Sequence, residues 1–254
     1  MFEVHLTEHC NLNCKGCSHF SPLADEEFLE IEAFEKDMAR MAQLFGKNDI
    51  RMISLLGGEP LLHPQVNDFL RLTVKYFPNM RLQLVTNGLL LSNRSKSFWE
   101  TCRATGAFIR ISHYPIPLDY QALEKKAITE GVELYIEPKQ APKNFHKDVY
   151  DRLGLQDERL SHSHCEIFGD CCQLKKGKFY PCTNSANIHH FNRFFNLGIS
   201  LSAGNYIDIY KAQSKDEFIQ LITSPIPCCR YCNLNAQELN VKWERSKRNL
   251  EEWT

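Results

Sequence analysis

The chain has 254 residues, with 30 Lys and Arg against 31 Asp and Glu for a formal net charge of −1. That balance leaves no basic surface for nucleic acid or an anionic membrane, and no apolar run approaches the ~20 residues of a membrane-spanning helix. Apolar residues make up 43 %, an ordinary globular share that suits one large domain or a medium one with a small appendage.

Residues 2–7 alternate polar and apolar and predict a first strand. Directly behind them comes Cys10-Asn11-Leu12-Asn13-Cys14-Lys15-Gly16-Cys17, three thiols at C-x3-C-x2-C spacing. Ile31, Phe34, Met38, Met41 and Phe45 recur at helical spacing, and Gly46 closes that helix. A second strand, 52–56, runs into Gly57-Gly58-Glu59-Pro60. Val66, Phe69, Leu70, Thr73 and Phe77 mark one face of a second helix. Strand 82–85 ends in Thr86-Asn87-Gly88. A third helix spans about 95–105, strand 108–112 follows, a fourth helix runs from near Asp119 to Gly131, and a fifth strand covers 132–136. This alternation implies a parallel sheet with right-handed crossovers. Residues 138–163 read as a polar connection with a short helix around 147–153. Residues 173–180 read as a hairpin turning near Gly177. Segments 212–223 and 236–250 both read as helical.

The first residues enter a strand pattern without a signal-peptide profile, so a cytoplasmic location is expected. Eleven cysteines in that compartment point to metal rather than disulfides. They fall into Cys10, Cys14 and Cys17, then a lone Cys102, then Cys165, Cys171, Cys172 and Cys182, and finally Cys228, Cys229 and Cys232, which suggests two metal centres. Three thiolates on one short loop can hold three irons of a cubane cluster and leave the fourth open to a small molecule. The spacing is neither the paired spacing of a zinc ribbon nor a lone redox C-x-x-C. Gly57-Gly58-Glu59-Pro60 ends a parallel strand, where barrel active sites lie. Two glycines there permit close backbone approach, and a carbonyl or Glu59 can accept from an ammonium. Asn87 and Ser112 end the next two strands and are either ligand contacts or turn and cap residues. Glu137, at the end of the fifth strand, is either a contact to a bound ligand or, the favoured reading, a solvated carboxylate.

The cysteine loop behind a first strand resembles the signature of the radical S-adenosylmethionine (SAM) enzymes. The resemblance covers about residues 2–235 and implies a partial (β/α)6 TIM-like barrel over residues 1–150. Cys10, Cys14 and Cys17 would then hold a 4Fe-4S cluster, and Gly57, Gly58, Glu59, Asn87 and Ser112 would bind S-adenosyl-L-methionine. Reduction of SAM would give a 5′-deoxyadenosyl radical that abstracts a hydrogen atom from substrate. In the family the residue before the third cysteine is usually aromatic and lies near the adenine. Here it is Gly16, which leaves His19 or Phe20 to take over that contact.

The later cysteines resemble the family's twitch appendage, a shortened SPASM domain. They imply a twitch domain with a C-terminal helix over 160–254 and an auxiliary Fe–S cluster, 4Fe-4S in type, on Cys165, Cys182, Cys229 and Cys232. Cys172 is the rival to Cys165, Cys228 adjoins Cys229, and a zinc knuckle from the same thiols is the alternative. The auxiliary cluster would accept an electron in a net two-electron oxidation. Cys102, Cys171 and Cys228, with Cys172 if it is not a ligand, read first as core filling, whereas one of them donating a hydrogen atom would make an epimerase. The resemblance further implies an electron donor such as flavodoxin or ferredoxin. The compact length is similar to that of aminocyclitol dehydrogenases, so a sugar, aminocyclitol or nucleotide-sugar is the expected small-molecule substrate. Peptide modification is the alternative, and a non-catalytic iron–sulfur electron carrier is the alternative of a different class.

Overall fold

Both faces of the first strand are buried, and the sheet is built outward from it on either side. The structure is a computed structural model that describes residues 1–140 and 145–254; the predicted connection 138–163 therefore lies partly outside the described residues. Strand β1 (Phe2–Thr7) pairs in parallel with β2 (Met52–Gly57), which continues through β3 (Arg81–Thr86) and β4 (Phe108–Ser112) to β5 (Leu134–Glu137). Helices α1 (Ile31–Phe45), α2 (Val66–Tyr76), α3 (Lys96–Thr105) and α4 (Tyr120–Glu130) make the crossovers and pack side by side in that order.

The helix limits follow from local chemistry. Ser95 and Asp119 cap α3 and α4 by accepting from the backbone N–H of Phe98 and Ala122, which satisfies donors the first turn cannot pair internally. The apolar stripe of α1 (Phe34, Met38, Met41) is buried with Phe69 and Leu70 of α2 and Phe98 and Trp99 of α3 against Phe2, Val4 and Leu6. The opposite face of β1 is buried but polar. Glu3 meets Gln173, His5 meets His19, and Ser54 of β2 donates to Gln83 of β3 at 2.9 Å.

On its other flank β1 pairs in parallel with β7 (Gln173–Lys175), which turns back into β8 (Lys178–Tyr180) and then β9 (Ile207–Asp208). The sheet order is thus β5-β4-β3-β2-β1-β7-β8-β9. It is a partial α/β barrel with a mixed sheet, and the predicted hairpin extends it. A short pair, β6 (Phe145–Lys147) and β10 (Glu238–Val241), lies apart from it. The small unit after the barrel carries α5 (Glu158–Ser163), α6 (Thr183–Phe195) and α7 (Lys215–Ile222). Its own apolar cluster gathers Phe20, Tyr150, Ile188, Phe191, Tyr231 and Trp253.

Two helix expectations fail. Residues 147–153 hold the end of β6 and irregular chain, with the helix displaced to α5. Residues 236–250 form β10 and an extended strap rather than a helix, because their backbone groups pair with β6 and with the cysteine loop. No helix among the described residues is long and apolar enough to cross a membrane.

Candidate active site and auxiliary cysteine pocket

The C-terminal ends of β1 to β4 open into a cleft enclosing about 600 Å³, open solvent included. Its lining brings together Cys10, Cys14 and Cys17 with Gly57, Gly58, Asn87, Ser112, His19 and Tyr114. The loop is held by the turn after β2. Gly58 N–H donates to Thr7 O at 2.9 Å and Glu59 N–H to His9 O at 3.1 Å. A Cβ on Gly58 would stand 2.0 Å from His9 O, and one on Gly57 2.3 Å from Thr7 O. Only glycine allows the two backbones this close. The glycines therefore fix the approach to Cys10 as well as lining the cleft.

Glu59 has a different place from the one expected. Its side chain is fully buried and does not line the cleft. The carboxylate accepts from Leu61 N–H, from Thr86 Oγ1 at 2.7 Å and from Asn87 N–H at 2.9 Å. It thereby locks the end of β3, and Asn87 in turn donates from Nδ2 to Asn11 Oδ1 at 2.8 Å and toward Cys10 Sγ at 3.7 Å. Glu59 positions; Asn87 faces the loop. Phe20 is also displaced from its expected role. It is buried against Phe191 and Tyr150, which leaves His19 on the cleft wall. Glu137 is half exposed and paired with Arg110 at 3.2 Å.

Every sulfur of the trio has N–H donors aimed at it. Leu12 N–H and Asn87 address Cys10, and Trp243 Nε1 lies 3.3 Å from Cys14 Sγ. The backbone N–H groups of His19, Phe20 and Ser21 surround Cys17. Burial nevertheless pushes Cys10 up to about 11 and Cys14 up to about 12. Bare thiolates are costly here, and bound cations reverse that balance. Among the described residues no set of three or more His, Cys, Asp or Glu side chains is closed on a single-ion position.

Tyr114 and Trp243 join the site through the fold rather than through any motif. Tyr114 lines this cleft and a second one beside it, whose walls include Cys14, Cys17, Phe145, Asp148, Lys242 and Trp243. The only sequence signal for Tyr114 is an aromatic residue just past a strand end. Trp243 is more than 200 residues from the loop and carries no local signal.

A third pocket lies in the appended unit. Cys165, Cys182, Cys228, Cys229 and Cys232 line it with Phe168 and Asn184. Asn184 Nδ2 donates to Cys232 Sγ at 3.7 Å and Ser185 N–H to Cys182 Sγ at 3.4 Å. Burial raises the thiols here as well, Cys229 up to about 12. Cys172 is elsewhere, buried in the barrel core with its sulfur on Gly169 O at 3.1 Å. Cys102 is buried on α3 in the same core.

A polar column ties the two cysteine units. His19 Nδ1 meets His5 Nε2 at 2.8 Å, and Glu8 Oε2 accepts from Lys175 Nζ at 2.7 Å and His190 Nε2 at 2.8 Å. Burial pushes His19 down to about 3. Burial would raise Glu8, but His190, His5 and Lys175 hold it well below the usual carboxylate range. Its contribution to stability is therefore complete above pH ~4.5 and is lost as pH falls through the lowered folded value. Glu8→Gln strands a buried ammonium and is expected to cost about 3–5 kcal/mol at pH 7. It should also flatten the acid limb. Denaturant unfolding of the metal-free protein from pH 7 to 3 checks this, and parallel limbs for the two proteins would contradict it.

The comparisons agree with this architecture. Residues 4–120 match the model of the Radical SAM superfamily. The chain is 25 % identical over 243 residues to GTP 3′,8-cyclase of Aquifex aeolicus, covering 87 % of this chain and 63 % of that protein. It is 32 % identical over 96 residues to the same enzyme of Aliarcobacter butzleri, covering 37 % and 28 %. The chain thus spans less than two thirds of these relatives. The crystal structure of BtrN in complex with AdoMet and 2-DOIA superposes with a TM-score of 0.57 at 17 % identity, over 92 % of both chains. That likeness extends through the small unit after the barrel. By sequence over residues 4–120 the chain is similar to the radical SAM superfamily, and by fold the likeness runs through the small unit appended to its partial barrel.

Proposed function

We propose that the protein is a radical SAM oxidoreductase acting on a small polyhydroxylated substrate. The observation that carries this is the single cleft uniting the three loop cysteines with Gly57, Gly58, Asn87 and Ser112. Cys10, Cys14 and Cys17 would hold a 4Fe-4S cluster, and the N–H donors converging on their sulfurs suit bound thiolates. Bound together there, cluster and SAM supply an electron and the 5′-deoxyadenosyl group that removes a hydrogen atom from substrate.

The chain's own residues bind and orient. The backbone of Gly57 and Gly58 offers carbonyls to the SAM ammonium, Asn87 and Ser112 offer polar contacts to its carboxylate and ribose, and His19 and Tyr114 wall the cavity. Substrate enters by the adjoining cleft, where Phe145 and Trp243 offer apolar faces and Asp148 and Lys242 polar ones. Neither cleft is lined by a described cysteine outside the trio, which favours oxidation over epimerisation. The fold likeness to BtrN with 2-DOIA over nearly the full length supports a sugar, aminocyclitol or nucleotide-sugar over a peptide. Cys165, Cys182, Cys229 and Cys232 would hold the auxiliary cluster. A flavodoxin or ferredoxin would deliver electrons.

The test is anaerobic turnover with SAM, a reductant and deuterated candidates. Release of 5′-deoxyadenosine that accelerates with one candidate and carries its deuterium is the expected result. Release with no candidate dependence across sugars and aminocyclitols would overturn the substrate class.

A further inference from the structure

The strap that replaces the predicted last helix crosses the cysteine loop along its length. Lys15 N–H donates to Glu244 O at 2.9 Å and Ser246 N–H to Asn13 O at 2.8 Å, with Cys14 bridged to Arg245. Trp253 Nε1 donates to Cys17 O at 3.0 Å from a fully buried ring. The same end of the chain also explains Gly16. That residue has φ +64°, and a Cβ there would sit 3.2 Å from Glu252 O. A side chain beside the third cysteine would press on the backbone of Glu252, just past the strap, and on the side chain of Lys147.

From the strap, the side chain of Trp243 reaches a sulfur that Tyr114 on the cleft wall also bonds. Trp243 Nε1 donates to Cys14 Sγ at 3.3 Å, and its ring stands 6.2 Å from that of Tyr114 on the cleft wall. We infer that Trp243 is a positioning residue that sets the reduction potential of the SAM-binding cluster through this N–H···S bond, delivered by the strap. The inference rests on the proposed cluster. Reduction adds negative charge to the cluster and its thiolates, and a donor on a ligand sulfur stabilises that state, so the bond raises the potential. Because the donor arrives on a segment clamped at Asn13, Lys15 and Cys17, its aim is fixed by chain far from the loop in sequence.

The test is an EPR-monitored redox titration of the reconstituted full chain, following the signal that changes on addition of SAM. Trp243→Phe keeps an aromatic ring and removes the N–H, and should move the midpoint to a more negative potential. Trp243→His keeps a ring N–H and should move it back toward the parent value. A Trp243→Phe midpoint equal to that of the parent overturns the inference. Should Trp243→Phe fail to assemble a cluster, the unsubstituted protein labelled with 15N-indole tryptophan decides. An indole nitrogen coupling to the SAM-responsive cluster supports the bond, and its absence overturns it. Absence of any SAM-responsive cluster in the unsubstituted protein would instead count against the proposed function.

Discussion

Cys14→Ala should abolish reductive SAM cleavage, lowering 5′-deoxyadenosine release by at least about 10³-fold, or ~4 kcal/mol in the barrier. The reason is stoichiometric. On the proposed reading the three loop thiolates are the cluster's protein ligands, and Cys14 stands between the other two in sequence and faces both adjoining clefts. Alanine would leave two of those three thiolates. The substitution is half-buried and lies in a loop whose backbone is held by the strap and by the turn after β2, so the fold should survive. Cys102→Ala is the matched control. That thiol is buried in α3, away from both clefts. Its loss should cost stability on the order of 1 kcal/mol and leave release unchanged. Liquid chromatography of quenched reactions reads both. Full release from Cys14→Ala would contradict the assignment of the loop.

Removing Cys229 and Cys232 together should lower bound iron from about eight to about four per chain while leaving SAM cleavage intact. The cleft of the trio and the pocket of the later cysteines have no lining residue in common. The two centres should therefore assemble independently. Iron analysis with parallel assay of 5′-deoxyadenosine measures both halves of the expectation. Unchanged iron would remove the auxiliary centre, and loss of cleavage along with the iron would show that the sites depend on one another. The same variant tests the polar column. If Glu8, Lys175 and His190 already lock the appended unit to β1, the barrel centre has no need of the second cluster for its shape.

Much of this arrangement can be read from local pattern. The alternating strands and the apolar stripes of α1 to α4 are decided within ten or fifteen residues, and so are Gly46, Ser95 and Asp119 as their boundaries. The cysteine spacing and the Gly-Gly-Glu turn are likewise local. What escapes is decided at long range. Helix α6 carries buried Asn184, Asn187 and His190 where an apolar stripe would be sought, because Asn187 bonds to β7, His190 to Glu8, and Asn184 to Tyr150 and Cys232 rather than to water. Residues 236–250 have a composition suited to a helix, yet their donors and acceptors are taken by β6 and by Asn13 and Lys15. Glu59 is read from sequence as a ligand contact, but its partners Thr86 and Asn87 sit on the neighbouring strand, which only the fold brings near. Gly16 is informative for the same reason, since its lack of a side chain makes sense only beside Glu252.

Mössbauer spectroscopy on 57Fe-reconstituted, anaerobically prepared protein examines the cysteine loop most directly. One 4Fe-4S component should change its spectrum when SAM is added, as an iron lacking a protein ligand gains new donors, while a second component stays as it was. Folded protein that takes up no iron, or clusters whose spectra are all indifferent to SAM, would contradict a vacant coordination position at Cys10, Cys14 and Cys17.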